Sequence, residues 1–209
     1  MKIITEKQLI AGPAGRIELL LQRPDSPDPP EGVAVVCHPH SLYGGSLMNK
    51  VVHSLADTFT DLGRPTIRFN FRGVGQSDGV FDQGRGEQAD LAAVVAWLQQ
   101  RYPAAPVWLA GFSFGAFVAF RAHRAVAAER LLLVAPAVDM FDFGPPDAVT
   151  IPWLVIHGSA DETVSPEAVR NWLSIPLSNP PELYWLDGAS HFFHGRLNEL
   201  KRVVREAWR

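Results

Sequence analysis

Along most of this chain, short apolar runs alternate with longer stretches in which apolar residues recur every three or four positions. Residues 32–37, 107–110, 130–135 and 151–157 have the length and the β-branched or bulky apolar content of strands buried on both faces. Residues 64–71 and 182–186 add two more strands. Between them, helical spacing runs over 48–62 (Val51, Val52, Leu55, Phe59, Leu62) and over 87–100 (Leu91, Val94, Val95, Leu98). Further helices are predicted from Ser113 to about Ala128, over 167–173 and over 195–208. A strand–helix alternation of this kind predicts an α/β fold: a mostly parallel central sheet with helices on both faces. The first two segments, Lys2 to Ile10 and Arg16 to Leu21, are joined across Gly12-Pro13-Ala14-Gly15 with no helix between, so they are expected to pair antiparallel at one edge. Arg23 to Glu31 carries four prolines and is expected to be a surface loop.

Length and composition then narrow the class. A chain of 209 residues with 47% hydrophobic and 20% charged residues is expected to form one globular domain over residues 1–209 with a substantial core. The net charge is −3 and no long Lys/Arg run is present, which argues against a nucleic-acid partner. Cys37 is the lone cysteine, so no internal disulfide can form and a reducing compartment fits. No apolar run reaches the ~18 residues of a membrane span, and the first residues lack the apolar region of a secretory signal. A cytoplasmic location is the resulting expectation. The connection from Pro136 to Ile151 is too short for a folded lid domain, so the site is expected to be open.

Candidate chemistry gathers where strands end, because the functional residues of an open α/β sheet cluster at the strands' carboxyl ends. Val107 to Ala110 runs into Gly111-Phe112-Ser113-Phe114-Gly115 and then a helix start, the strand, G-x-S-x-G, helix context that exposes a serine hydroxyl on a strained turn. A serine hydroxyl is a weak nucleophile and needs a base within hydrogen-bond reach. His191, in Gly188-Ala189-Ser190-His191, follows the last strand and is the expected base; His194 is its rival three residues on. Asp161, in His157-Gly158-Ser159-Ala160-Asp161, is the expected acid that orients the imidazole, with Asp139 as its rival after another strand. An oxyanion would need two backbone N–H donors: Phe114, next to the serine, and one from the loop His38 to Gly45, where His40 is preferred to Ser41 or Leu42. His157 reads as a packed structural histidine, and His53 and His123 carry no signal. Neither His38/His40 nor His191/His194 has the spacing of a zinc motif, so neither metal nor cofactor is expected. Gly73 and Gly75 miss the G-x-G-x-x-G spacing, since the third position falls at Asp78, and the loop reads as structural.

Taken together, GFSFG, HGSADETV, GASHFFHG, FNFRGVGQSDG and HPHSLYGG resemble a small, lid-less bacterial branch of the α/β-hydrolase superfamily. The resemblance spans about Val33 to Leu200. It implies an α/β-hydrolase fold, Ser113, Asp161 and His191 as a triad, and an oxyanion loop over 38–45, with Ser41 standing where relatives usually have proline. It implies no substrate. The expected function is hydrolysis of small or medium carboxylic esters through an acyl-enzyme, without a cofactor. The alternatives are a thioesterase or peptidase with the same triad, or a non-catalytic ligand-binding relative.

Overall fold

The computed structural model describes residues 2–26 and 28–208. Met1, Pro27 and Arg209 fall outside them, and so do the parts of the N-terminal and proline-loop expectations that rest on Met1 and Pro27. Eight strands form one sheet: β1 (Ile3–Gly12), β2 (Gly15–Pro24), β3 (Val33–Cys37), β4 (Thr66–Phe69), β5 (Val107–Phe112), β6 (Ala128–Val134), β7 (Trp153–Gly158) and β8 (Glu182–Leu186). Their order across the sheet is β1-β2-β4-β3-β5-β6-β7-β8. From β4 to β8 every pairing is parallel, whereas β1–β2 and β2–β4 are antiparallel. This is the mostly parallel α/β sheet with antiparallel first strands that the pattern predicts, and the α/β-hydrolase fold that the resemblance implies.

The register of β3 explains the two-faced core. Successive side chains on a strand point to opposite faces, and all five residues of β3 are fully buried. Val33, Val35 and Cys37 face the cluster built on α2 (Arg85–Arg101), α3 (Phe114–Ala122) and α4 (Pro166–Trp172). Ala34 and Val36 face the cluster built on α1 (Lys50–Asp61) and α5 (Leu197–Ala207). Each buried valine side chain contributes roughly 1.5 kcal/mol or more, which is why this run cannot be a surface element.

Several boundaries differ from the sequence reading, each for a local reason. The helix after Ser113 ends at Ala122, six positions short of Ala128. His123 turns its ring back onto the Phe120 carbonyl, Ala127 takes a positive φ of 48°, and the Ala128 N–H closes onto the His123 carbonyl at 2.9 Å. The chain is thereby released into β6 two residues early. Helix α1 begins at Lys50 rather than Met48 because Asn49 caps it, its Oδ1 accepting from the Val51 N–H at 2.9 Å. Helix α2 begins two residues early because the Glu87 side chain reaches back to the Gly84 N–H at 2.8 Å. The β6–β7 connection, residues 135–152, holds one short 3-10 turn, Pro146–Ala148, and no lid domain. Among the described residues no helix is long and apolar enough to cross a membrane.

Candidate active site

The turn between β5 and α3 is set by what its glycines leave out. A Cβ on Gly111 would lie 2.1 Å from the Gly115 carbonyl oxygen, and one on Gly115 would lie 2.3 Å from that of Cys37. With both absent, α3 can begin directly against the end of β3. Ser113 between them adopts φ 56° and ψ −114°, a conformation that costs a non-glycine residue roughly 1–3 kcal/mol. Its own N–H donates to the Val134 carbonyl at 2.9 Å, which ties the strained residue to the neighbouring strand. Phe114 is the first residue of α3, so its N–H has no partner within the helix.

On the far side of the sheet end, Asp161 and His191 meet. His191 Nδ1 lies 2.8 Å from Asp161 Oδ2, both side chains essentially without solvent exposure. Asp161 Oδ1 accepts from the backbone N–H groups of Thr163 (2.9 Å) and Val164 (2.8 Å). Burial alone would raise the carboxyl, but the His191 bond and these two N–H groups outweigh it and hold Asp161 below its ordinary value. The His191 backbone N–H donates to Glu162 Oε2 at 3.2 Å, fixing the loop from a second point. The Phe112 ring, one residue before Ser113, lies 5.0 Å from the imidazole and brings the histidine beside the turn. With Nδ1 engaged by the carboxylate, Nε2 is the nitrogen left for proton transfer.

The rivals lie elsewhere. Asp139 is exposed, and its Oδ2 accepts from the Ser165 N–H at 3.0 Å, where it helps start α4. His194 is exposed and its nearest ring is Phe192, at 6.0 Å. His53 faces Asp57 on α1. His157, expected to be a packed core histidine, is fully buried against Trp185 but also approaches the acid: its Nε2 is 3.2 Å from the Val164 carbonyl and 3.5 Å from Asp161 Oδ2. Burial holds this imidazole below its usual value despite the pull of the Asp161 carboxylate. The approach is local, across the turn that carries the chain from the end of β7 to Asp161 four residues on.

The His38–Gly45 loop is better ordered than a local turn requires. His38 is fully buried, with Nδ1 2.6 Å from the Pro39 carbonyl and Nε2 accepting from the Phe71 N–H at 3.0 Å. Burial lowers its pKa to about 4, so it remains neutral and pins the loop to the chain after β4. The Tyr43 and Gly45 N–H groups close on the His40 carbonyl, and His40 Nδ1 accepts from the Leu42 N–H at 3.2 Å. Leu42 is thus withdrawn from the candidate oxyanion donors, while His40 and Ser41 stay in the set. The glycine-rich loop over 72–79 is structural: Arg72 makes a two-pronged pair with Asp90 at 2.9–3.0 Å, and Asp78 another with Arg16. Among the described residues no group of three or more His, Cys, Asp or Glu side chains is arranged to hold a metal ion.

The sequence matches the family model of the alpha/beta hydrolase fold over residues 34–125. An alpha-beta serine hydrolase homologue from Coxiella burnetii is 41% identical and superposes with a TM-score of 0.92, covering 98% of this chain and 97% of its own. The chain belongs to the α/β-hydrolase family. A serine hydrolase without a lid from Xanthomonas campestris, also 41% identical, superposes with a TM-score of 0.89 over 97% of this chain and 93% of its own. An uncharacterized protein of Rickettsia prowazekii is 37% identical over 205 residues, 93% of this chain and 85% of its own. Among the described residues of this α/β hydrolase no lid domain is present, and the Xanthomonas protein is likewise without a lid.

Proposed function

We propose that this α/β hydrolase cleaves small or medium carboxylic esters by way of an acyl-enzyme on Ser113. The observation that carries the reading is the strained serine at the β5–α3 turn with the buried His191–Asp161 pair beside it. Ser113 Oγ attacks the ester carbonyl while His191 Nε2 takes its proton. The electron pair of the carbonyl moves onto oxygen, and the oxyanion is held by the N–H of Phe114 and, from the opposite loop, that of His40. Collapse of this intermediate breaks the bond to the alcohol, which leaves with the proton from His191. A water then repeats the sequence on the acyl-enzyme, releasing the carboxylic acid and restoring the serine. Asp161 keeps the imidazole in the tautomer that presents a free Nε2 and stabilises its positive charge. No cofactor enters the scheme, and the partner is a small-molecule ester. The test is hydrolysis of p-nitrophenyl acetate, butyrate and octanoate by wild type beside Ser113→Ala. Loss of turnover in the variant supports the serine mechanism; undiminished turnover ends it.

A further inference from the structure

Three separate loops at the carboxyl end of the sheet each bring one aromatic ring to the same imidazole. The His40 ring centroid lies 4.8 Å from that of Tyr43 in its own loop, 4.6 Å from that of Phe81 before α2 and 5.9 Å from that of Phe141 after β6. It also lies 5.1 Å from Phe114, the residue after Ser113, and Phe81 and Phe141 meet Phe114 at 5.5 Å (tilted) and 5.2 Å (edge-on). This group is joined to the reacting serine through one residue.

Phe81 and Phe141 pack on the edge of the core, Phe141 stacking on Phe117 at 5.1 Å, yet the group is not closed off from solvent. His40, Phe81 and Phe141 are only half-buried and Tyr43 is exposed. Each loop also holds a large apolar neighbour out in water: Leu42 is 70% exposed, Val80 77% and Met140 53%. A single exposed apolar side chain is ordinary, but three from distant parts of the chain, each next in sequence to a ring on one imidazole, give the three loops an apolar wall. The Leu42 N–H donates to His40 Nδ1 at 3.2 Å and orients the central ring. The exposed Tyr43 and the half-buried rings beside it present aromatic surface to a further planar ring, and aromatic pairs gain more than their buried area when centroids sit within about 4.5–7 Å.

We propose, on the basis of the hydrolase reading above, that His40, Tyr43, Phe81 and Phe141 form the subsite for an aryl group of the ester, so that the substrate class is aryl-bearing carboxylic esters. The aryl group lies on either the acyl or the alcohol side of the scissile bond, and the experiment separates these. Ser113→Ala protein is titrated with ethyl 3-phenylpropionate, with 2-phenylethyl acetate and with ethyl acetate, and binding is read from NMR chemical shifts. One of the two aryl esters is expected to bind roughly tenfold tighter than ethyl acetate, and which one does so assigns the side. Adding Phe81→Ala or Phe141→Ala is expected to remove most of that gain, and Phe141→Leu, which keeps an apolar side chain without the ring, about half of it. Aryl esters binding no tighter than ethyl acetate, or a preference untouched by all three variants, overturns the subsite. Because binding is measured without turnover, the two claims fail separately: equal ester hydrolysis by wild type and Ser113→Ala removes the serine mechanism and leaves the binding result standing.

Discussion

The two ends of the sheet differ in a way that cavity size does not reveal. At the amino end, between the chain before β3 and the end of α2, lies the larger hollow, about 730 Å³, lined by Pro29, Pro30, Leu62 and Tyr102 among others. Its two arginines are already paired: Arg23 and Arg101 both bind Glu6, at 3.0 and 2.8 Å. Near the carboxyl end lies a crevice of about 200 Å³ beside Phe192 and His194. Yet that end holds the strained serine, the buried carboxylate–imidazole pair and the exposed apolar wall. Strain and buried charge cost stability and persist where the surroundings enforce them; a hollow costs little. The candidate chemistry therefore lies with the costly features rather than with the larger hollow.

The sharpest way to break this contrast is one substitution at each end. Asp161→Asn is expected to lower kcat for p-nitrophenyl butyrate about 10³–10⁴-fold, since the amide holds the wrong imidazole tautomer. Tyr102→Ala, in the amino-end hollow, is expected to leave kcat/KM within about twofold. A comparable loss from both would erase the distinction between the ends. Next in size is Gly115→Ala, which drives a methyl group against the Cys37 carbonyl. It is expected to cost about 3 kcal/mol in denaturant unfolding, whereas a neutral outcome would show that the turn is looser than described.

The pH dependence of folding sharpens the same contrast through His38. Its folded pKa of about 4 lies below the ordinary 6.5, so below 6.5 the unfolded chain takes up a proton that the folded one refuses. The stability from keeping it neutral is complete above pH 6.5 and is lost as pH falls toward 4, to the extent of about 3 kcal/mol. Burial lowers His123 and His157 as well, so they act in the same direction. In urea titrations at pH 7 and pH 4.5, His38→Asn is expected to be less stable at pH 7 but to show a flatter loss on acidification. An unchanged slope would mean that His38 is not the group responsible. The smallest effect is a gain: Ser113→Gly relieves the positive φ and is expected to add about 1 kcal/mol of stability while abolishing turnover. No gain would place the strain elsewhere.

Much of this was legible in the sequence because it is local. Gly111 and Gly115 flank Ser113 at fixed spacing, and the apolar run of β3 can only be a two-sided strand. The chain order of serine, aspartate and histidine likewise needs no structure. What was not legible depends on contacts between distant segments. Asp139 and Asp161 both follow strands, and only the fold shows which carboxylate meets His191. The pin from His38 to Phe71 and the convergence of Phe81 and Phe141 on His40 join loops far apart in the chain. The end of α3 was misjudged because apolar residues run past Ala122, while His123 and Ala127 terminate the helix through side-chain and backbone geometry.

The central claim is that Ser113 is a nucleophile activated by His191. Its most direct test is labelling with a fluorophosphonate, which reacts with an activated serine and little else, read by intact mass and peptide mapping. The account expects one adduct per chain, on Ser113, absent from Ser113→Ala and strongly slowed in His191→Ala. An adduct that survives Ser113→Ala, or a wild-type protein that takes no label, would contradict it.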